Sequence, residues 1–153
     1  MTAIADRLAE LGLELPPVTK PVAAYVPAVV TGHLVFTAGQ LPFVAGTLAA
    51  TGKFGAALSA DDGPALARIC VLNALAAAES VIGSLDRVVR IVKVVAFIAS
   101  TPEFTGQPGV ANGASELLGQ IFGDAGQHAR SAVGVPVLPL DAPVEVELVL
   151  EFA

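Results

Sequence analysis

Apolar residues recur along this chain with two different periods, and the switches between them lay out its elements. Over residues 2 to 12, Ile4, Leu8 and Leu11 share one helical stripe and Gly12 ends it, which predicts a short amphipathic helix packed on the domain as an appendage. After the breakers Pro16, Pro17 and Pro21, "AAYVPAVVTGHLVFTAGQLP" reads as two strands turned at Thr31-Gly32-His33. Pro27, which has no N–H to give a ladder, confines the first of them to an edge or a bulge. "FVAGTLAATGKFGAALS" has no strong period and is expected as loop or short irregular strand.

A longer helix follows. Asp61 or Asp62 is its expected cap, Pro64 lies in its first turn, and Gly83 stops it, with Leu66, Ile69, Cys70, Asn73, Ala77 and Val81 along one stripe. Asn73 on that stripe needs a hydrogen-bond partner if it is buried. "DRVVRIVKVVAFIAS" is β-branched and apolar on both alternating sets, the mark of a central strand covered on both faces. A further helix through "GVANGASELLGQIFG" turns Leu117, Leu118, Ile121 and Phe122 inward and closes at Gly123.

The tail supplies two last strands. In the final one Val144, Val146, Leu148, Leu150 and Phe152 face the helices, leaving Glu145, Glu147, Val149 and Glu151 on the other side. In the one before it, alternation by size places Val133, Val135 and Val137 in the core and Arg130, Ala132 and Gly134 on the non-helical face. The order β-β-α-β-α-β-β makes a mixed sheet with two helices on one face, an α+β fold.

Composition narrows the setting. The chain has 153 residues, 54% hydrophobic and only 14% charged, which reads as one domain, 1–153, with residues 1–20 as an N-terminal helical extension. So little charge predicts a surface buried against copies of the same chain. A net charge of -6 with eight basic residues argues against a nucleic-acid footprint and against docking on anionic lipid. One cysteine and two distant histidines offer neither an internal disulfide nor a zinc site, and Cys70 reads as inert core. Arg90 and Lys93 interrupt the richest apolar run and the N-terminus carries no long one, so a cytoplasmic protein with no membrane association is expected.

Candidate chemistry centres on Arg130. A guanidinium is charged at any physiological pH and brings five donors in a rigid fork; with Ala132 and Gly134 leaving room beside it, it suits a carboxylate. Glu145 is expected on the same non-helical face, so that a cation, an empty volume and a carboxylate share it. The plain alternative is a surface or interface salt bridge between Arg130 and an acid of the last strand. His33 and His128 read as exposed or hydrogen-bonded, Tyr25 as packing, and Gln40 as capping its own turn.

"ARSAVGVPVLPLDAPVEVE" resembles the signature of the reactive intermediate/imine deaminase family, also called Rid or YjgF, with supporting similarity over about residues 23 to 152, including "FTAGQLP". The resemblance implies a chorismate-mutase-like fold and a homotrimer with a cleft between each pair of subunits. It implies that Arg130 holds a substrate carboxylate, Glu145 helps place a water, and Gly39 lends backbone around the substrate. Tyr25, Asn112 and Ala132 match positions lining that cleft. The implied reaction is hydrolysis of enamines and imines such as 2-aminoacrylate to a 2-keto acid and ammonia, without metal or cofactor. Ala132 stands where the family commonly has Cys and Ala38 where it often has a hydroxyl, and the long connection after residue 43 resembles the roughly 150-residue branch. Those departures keep two alternatives open: a trimer that binds small carboxylates without turnover, and the endoribonuclease activity attributed to some relatives.

Overall fold

In the computed structural model, residues 3–18, 21 and 23–153 are described, so Met1, Thr2, Thr19 and Lys20 of the expected extension, and Val22, lie outside the described residues. Helix α1 covers Ile4–Glu10; strands β1 and β2, Ala28–Thr31 and Leu34–Thr37, turn at Gly32-His33. A two-stranded hairpin of β3, Phe43–Val44, and β4, Thr47–Leu48, occupies the stretch without a period. Then come α2, Gly63–Ile82; β5, Val88–Ala99; α3, Gln107–Phe122; β6, Ala129–Val135; and β7, Val144–Phe152. The main sheet runs β1-β2-β7-β5-β6, parallel only between β5 and β6. This is the expected mixed α+β arrangement, with β1 at an edge, as Pro27 requires.

The core lies between this sheet and the two long helices. Val35, Ile91, Val94, Ala96, Ile98, Val146, Leu148 and Leu150 point from the sheet into one cluster with α2 and α3. Asp62 is the N-cap residue of α2, as expected, and its carboxylate accepts from the Ser59 backbone N–H and hydroxyl, which closes a short turn at Ala60–Asp62 leading into the helix. It ends at Gly83, whose φ of 87° only glycine adopts without strain. Because α2 packs on the sheet with α3 beside it, its buried arc includes Ala67, Val71, Ala74 and Ala78, while Val81 at the edge of the expected stripe stays exposed. The helices approach closely because Gly113 has no side chain: a methyl there would run into the Pro64 backbone, an overpacking that costs about 1–3 kcal/mol. The segment 60–82 is long and apolar enough to cross a bilayer, but it is the core helix of this layer. Cys70 is fully buried within it, and burial, reinforced by the nearby Glu145 charge, pushes its thiol well above its usual pKa, as inert core requires.

Helix α1 is pinned at its start and its middle: the Ile4 N–H donates to Asp86 Oδ1 at 2.7 Å and Arg7 Nε to the Gln120 carbonyl at 2.8 Å. Phe122 is half-buried at the end of α3, while Leu117, Leu118 and Ile121 are buried as expected.

Two facing expectations are corrected. Strand β6 pairs in parallel with β5 in the register Val94–Arg130, Ala96–Ala132 and Ile98–Gly134. Val94, Ala96 and Ile98 are fully buried under the helices, so Arg130, Ala132 and Gly134 lie on the helical face and not the opposite one. Val133 and Val137 are accordingly exposed, at 45% and 59%. Size misleads here because α3 lies low over this edge and only small residues fit beneath it; a side chain at Gly134 would meet Gln107. The second correction concerns β5, whose far face is covered within the chain only at one end. There Phe97, Ala99 and Val135 join Leu41, Leu48, Leu138 and Ala142 in a small second cluster. The rest of that face is open, with Val29 and Phe36 at 52% and 45% exposure.

Candidate functional site

The residues singled out in the sequence fall into two groups at different places on the sheet. Strand β7 places Glu145 on the open face, where it lines a cavity of about 370 Å³ together with Tyr25, Gly39, Gln40, Asn73 and Leu140. The Glu145 carboxylate occupies the space a side chain at position 39 would take, so glycine there lets the carboxylate lie where it does. Gln40 and Val146 exchange backbone hydrogen bonds of 2.8 and 3.0 Å, which clamps the turn against β7. The Gln40 amide donates back to the Ala38 carbonyl, capping its own turn as expected. Asn73 does find its partners: Nδ2 donates to the carbonyls of Leu41 and Phe43, both at 3.1 Å, and ties the far wall to α2.

Glu145 is half-buried, and among the described residues its carboxylate has no hydrogen-bond partner. Burial, and then the like charge of Glu147, raise its pKa above the usual carboxylate value. A carboxyl so placed passes a proton more readily near neutral pH than an exposed one. Tyr25 stands 58% exposed at the rim and is not packed. Leu140 forms the opposite lip, in a turn where Leu140 and Asp141 both have left-handed φ, 61° and 58°, held by the Gly52 N–H on the Asp141 carbonyl at 2.9 Å.

The second group surrounds Arg130 at the sheet edge. Its Nη1 donates to Asn112 Oδ1 at 2.8 Å and to Ser115 Oγ at 3.2 Å, both on α3. Ser115 Oγ lies 2.9 Å from His128 Nε2, and His128 Nδ1 lies 2.6 Å from the Gly126 carbonyl. Arg130, Ser115, Gly119 and His128 border a second cavity of about 380 Å³. Ala132 adds no polar group; it packs against the core beneath α3. Ser115 escaped the sequence reading, although it stands three residues after Asn112 and so on the same helix face. His128 is hydrogen-bonded, as expected; His33 is exposed, with its ring tilted against Phe152.

One chain does not bring Arg130 and Glu145 together. Strand β5 separates their strands, Phe97 pairing with both Glu145 and Val133, so their Cα atoms are about 14 Å apart by sheet spacings. Their side chains also leave opposite faces. The expected shared face is corrected, and Arg130 makes no salt bridge to β7 within the chain; among the described residues the ion pair is Arg7–Glu10.

Fold and site together define a small α+β domain whose candidate polar groups lie at two separate places on one sheet. The family model described as "YjgF/chorismate_mutase-like, putative endoribonuclease" matches residues 5–152, and the chain belongs to this YjgF family. It is 44% identical over 151 residues to Protein TCP17 of Trypanosoma cruzi, covering 97% of this chain and 93% of that one. A solved structure from Shewanella oneidensis, titled a "putative endoribonuclease", superposes with a TM-score of 0.95 at 34% identity, covering 99% of this chain and 100% of the other. A protein of unknown function from Agrobacterium tumefaciens gives 0.92 at 39% identity, covering 98% and 92%.

Proposed function

We propose that the protein hydrolyses small imines or enamines of 2-amino acids, of the 2-aminoacrylate type, to a 2-keto acid and ammonia, in clefts formed between copies of the chain in a homotrimer. The observation that carries this reading is the half-buried Glu145 carboxyl, without a hydrogen-bond partner among the described residues, held against Gly39 beside Tyr25. Arg130 supplies the complementary half. With Nη1 occupied by α3, its Nε and Nη2 have no partner among the described residues and form a fork for a substrate carboxylate. Since one chain holds these halves apart, a neighbouring copy supplies the other. The open apolar face bearing Val29, Phe36 and Val133 is a surface such a neighbour would cover.

In this reaction the enamine first takes a proton on carbon to become the iminium. Water then attacks the iminium carbon, forming a C–O bond, while Glu145 accepts a proton from that water. Returning a proton to nitrogen makes ammonia the leaving group; the C–N bond breaks as the hydroxyl gives up its remaining proton, which balances the one taken up on carbon, and the carbonyl of the keto acid forms. Positioning by the Arg130 fork supplies much of the acceleration, because the iminium is already electrophilic.

A binding-only trimer is supported by one feature, the bare Ala132 methyl beside Arg130. The endoribonuclease label of relatives fits less well with a net charge of -6. Freshly generated 2-aminoacrylate, assayed for ammonia and pyruvate with wild type and Arg130→Ala, tests the proposal. Faster release with wild type alone supports it. Equal release from both contradicts it, and pyruvate binding without release supports the binding trimer.

A further inference from the structure

The hydrogen bonds behind Arg130 run in one direction, and their order follows from chemistry. The Gly126 carbonyl can only accept, so His128 Nδ1 carries a proton and donates to it at 2.6 Å. In the neutral ring Nε2 is then bare and accepts from the Ser115 hydroxyl at 2.9 Å. That fixes the Ser115 hydrogen away from Arg130 and turns an oxygen lone pair toward Nη1, 3.2 Å away. Asn112 Oδ1 takes the other Nη1 hydrogen at 2.8 Å. Both Nη1 donors are used, and the fork left free is Nε with Nη2, the side-on pair that fits a carboxylate.

We infer that Ser115 and His128 are positioning residues that aim the Arg130 fork, His128 acting only through Ser115. This rests on Arg130 being the carboxylate anchor. A long arginine side chain at an exposed strand edge samples many rotamers, and fixing it beforehand removes that entropy cost from binding. The relay extends from the η turn at Gly123–Gly126 through α3 to β6, so it couples the guanidinium to backbone and not to another mobile surface group.

The test is calorimetric binding of pyruvate, with imine hydrolysis measured alongside, for Ser115→Ala, His128→Ala, His128→Gln and the Ser115→Ala/His128→Ala double variant. Ser115→Ala and His128→Ala should each weaken binding and raise KM about tenfold with kcat nearly unchanged, the scale of one hydrogen bond to a charged group. The double variant should be no worse than either single one, since both break the same relay. His128→Gln, whose amide oxygen can replace Nε2 as acceptor, should recover most of the affinity. Losses that multiply in the double variant, or a His128→Gln no better than His128→Ala, would overturn the relay. Arg130→Ala separates the premise from the inference. If it binds pyruvate like wild type, the anchor reading fails; if it loses binding while Ser115→Ala and His128→Ala keep it, only the relay fails. Circular-dichroism melting identifies any variant that is unfolded, and Ser115→Cys, a weaker donor of similar size, then serves in place of Ser115→Ala with an intermediate loss expected.

Discussion

The Arg130 edge and the Glu145 cavity solve opposite problems with the same sheet. At the edge a charge is held by neutral acceptors on α3, two of its nitrogens left without a partner among the described residues. In the cavity a charge is deprived of donors and partly of water, over a glycine that leaves it room. The first arrangement fixes a cation whose ionisation never changes; the second unsettles an acid so that it can exchange protons. A binding group and a proton-transfer group need these different surroundings, and the β5 strand between them keeps the two from neutralising each other within one chain.

Removing the guanidinium should have the largest effect. Arg130→Ala is expected to weaken pyruvate binding by about 10²-fold or more, and Arg130→Lys nearly as much, because an ammonium lacks the planar fork. Titration calorimetry on folded protein measures both, and an Arg130→Lys indistinguishable from wild type would reduce the edge to a simple positive charge. Next, Glu145→Gln should slow imine hydrolysis by about 10²-fold while pyruvate affinity stays within about twofold, since the carboxyl serves proton transfer and not anchoring. Tighter binding with an unchanged rate would mean that Glu145 only opposes the anion.

Gly39→Ala probes the cavity without touching its acid. The clash falls on the movable end of Glu145, so the chain should fold and hydrolysis should drop about tenfold through displacement of the carboxyl. Full activity in Gly39→Ala would show that the pose of Glu145 is immaterial. The smallest effect concerns stability. Because burial raises the folded-state pKa of Glu145, folding gains from this group only at pH low enough to protonate it, and that gain is lost as pH rises through the raised value. Glu145→Gln should therefore melt higher than wild type at pH 7, with the gap closing toward pH 4. A gap that is constant across pH would mean that the carboxyl is not desolvated.

Much of this was legible in the chain. Period and punctuation located both long helices, the turn at Gly32 and the inward face of β7, because each of those elements has one wet side and one dry side. Strand β6 lacked that contrast: Ala132 and Gly134 are as compatible with a core as Val133, and only the approach of α3 decides that the small residues lie inward. The facing of Arg130 was lost with it. The cavity was partly visible, since Tyr25, Gly39 and Glu145 were singled out one by one. Their meeting depends on a bridge between Gln40 and Val146, over a hundred residues apart, which no local pattern encodes. Leu140 was silent for a related reason, its left-handed turn being built by tertiary bonds and not by glycine.

The central claim is that Arg130 of one copy and Glu145 of another serve a single site. Arg130→Ala and Glu145→Gln chains, each inactive alone, can be co-expressed with different tags and purified through both. Any ring of three that contains both variants then has one complete site, whichever is in excess, so imine hydrolysis should return to about a third of the wild-type rate. Mixed oligomers that stay as inactive as their parents, beside an active wild type, would contradict a shared site.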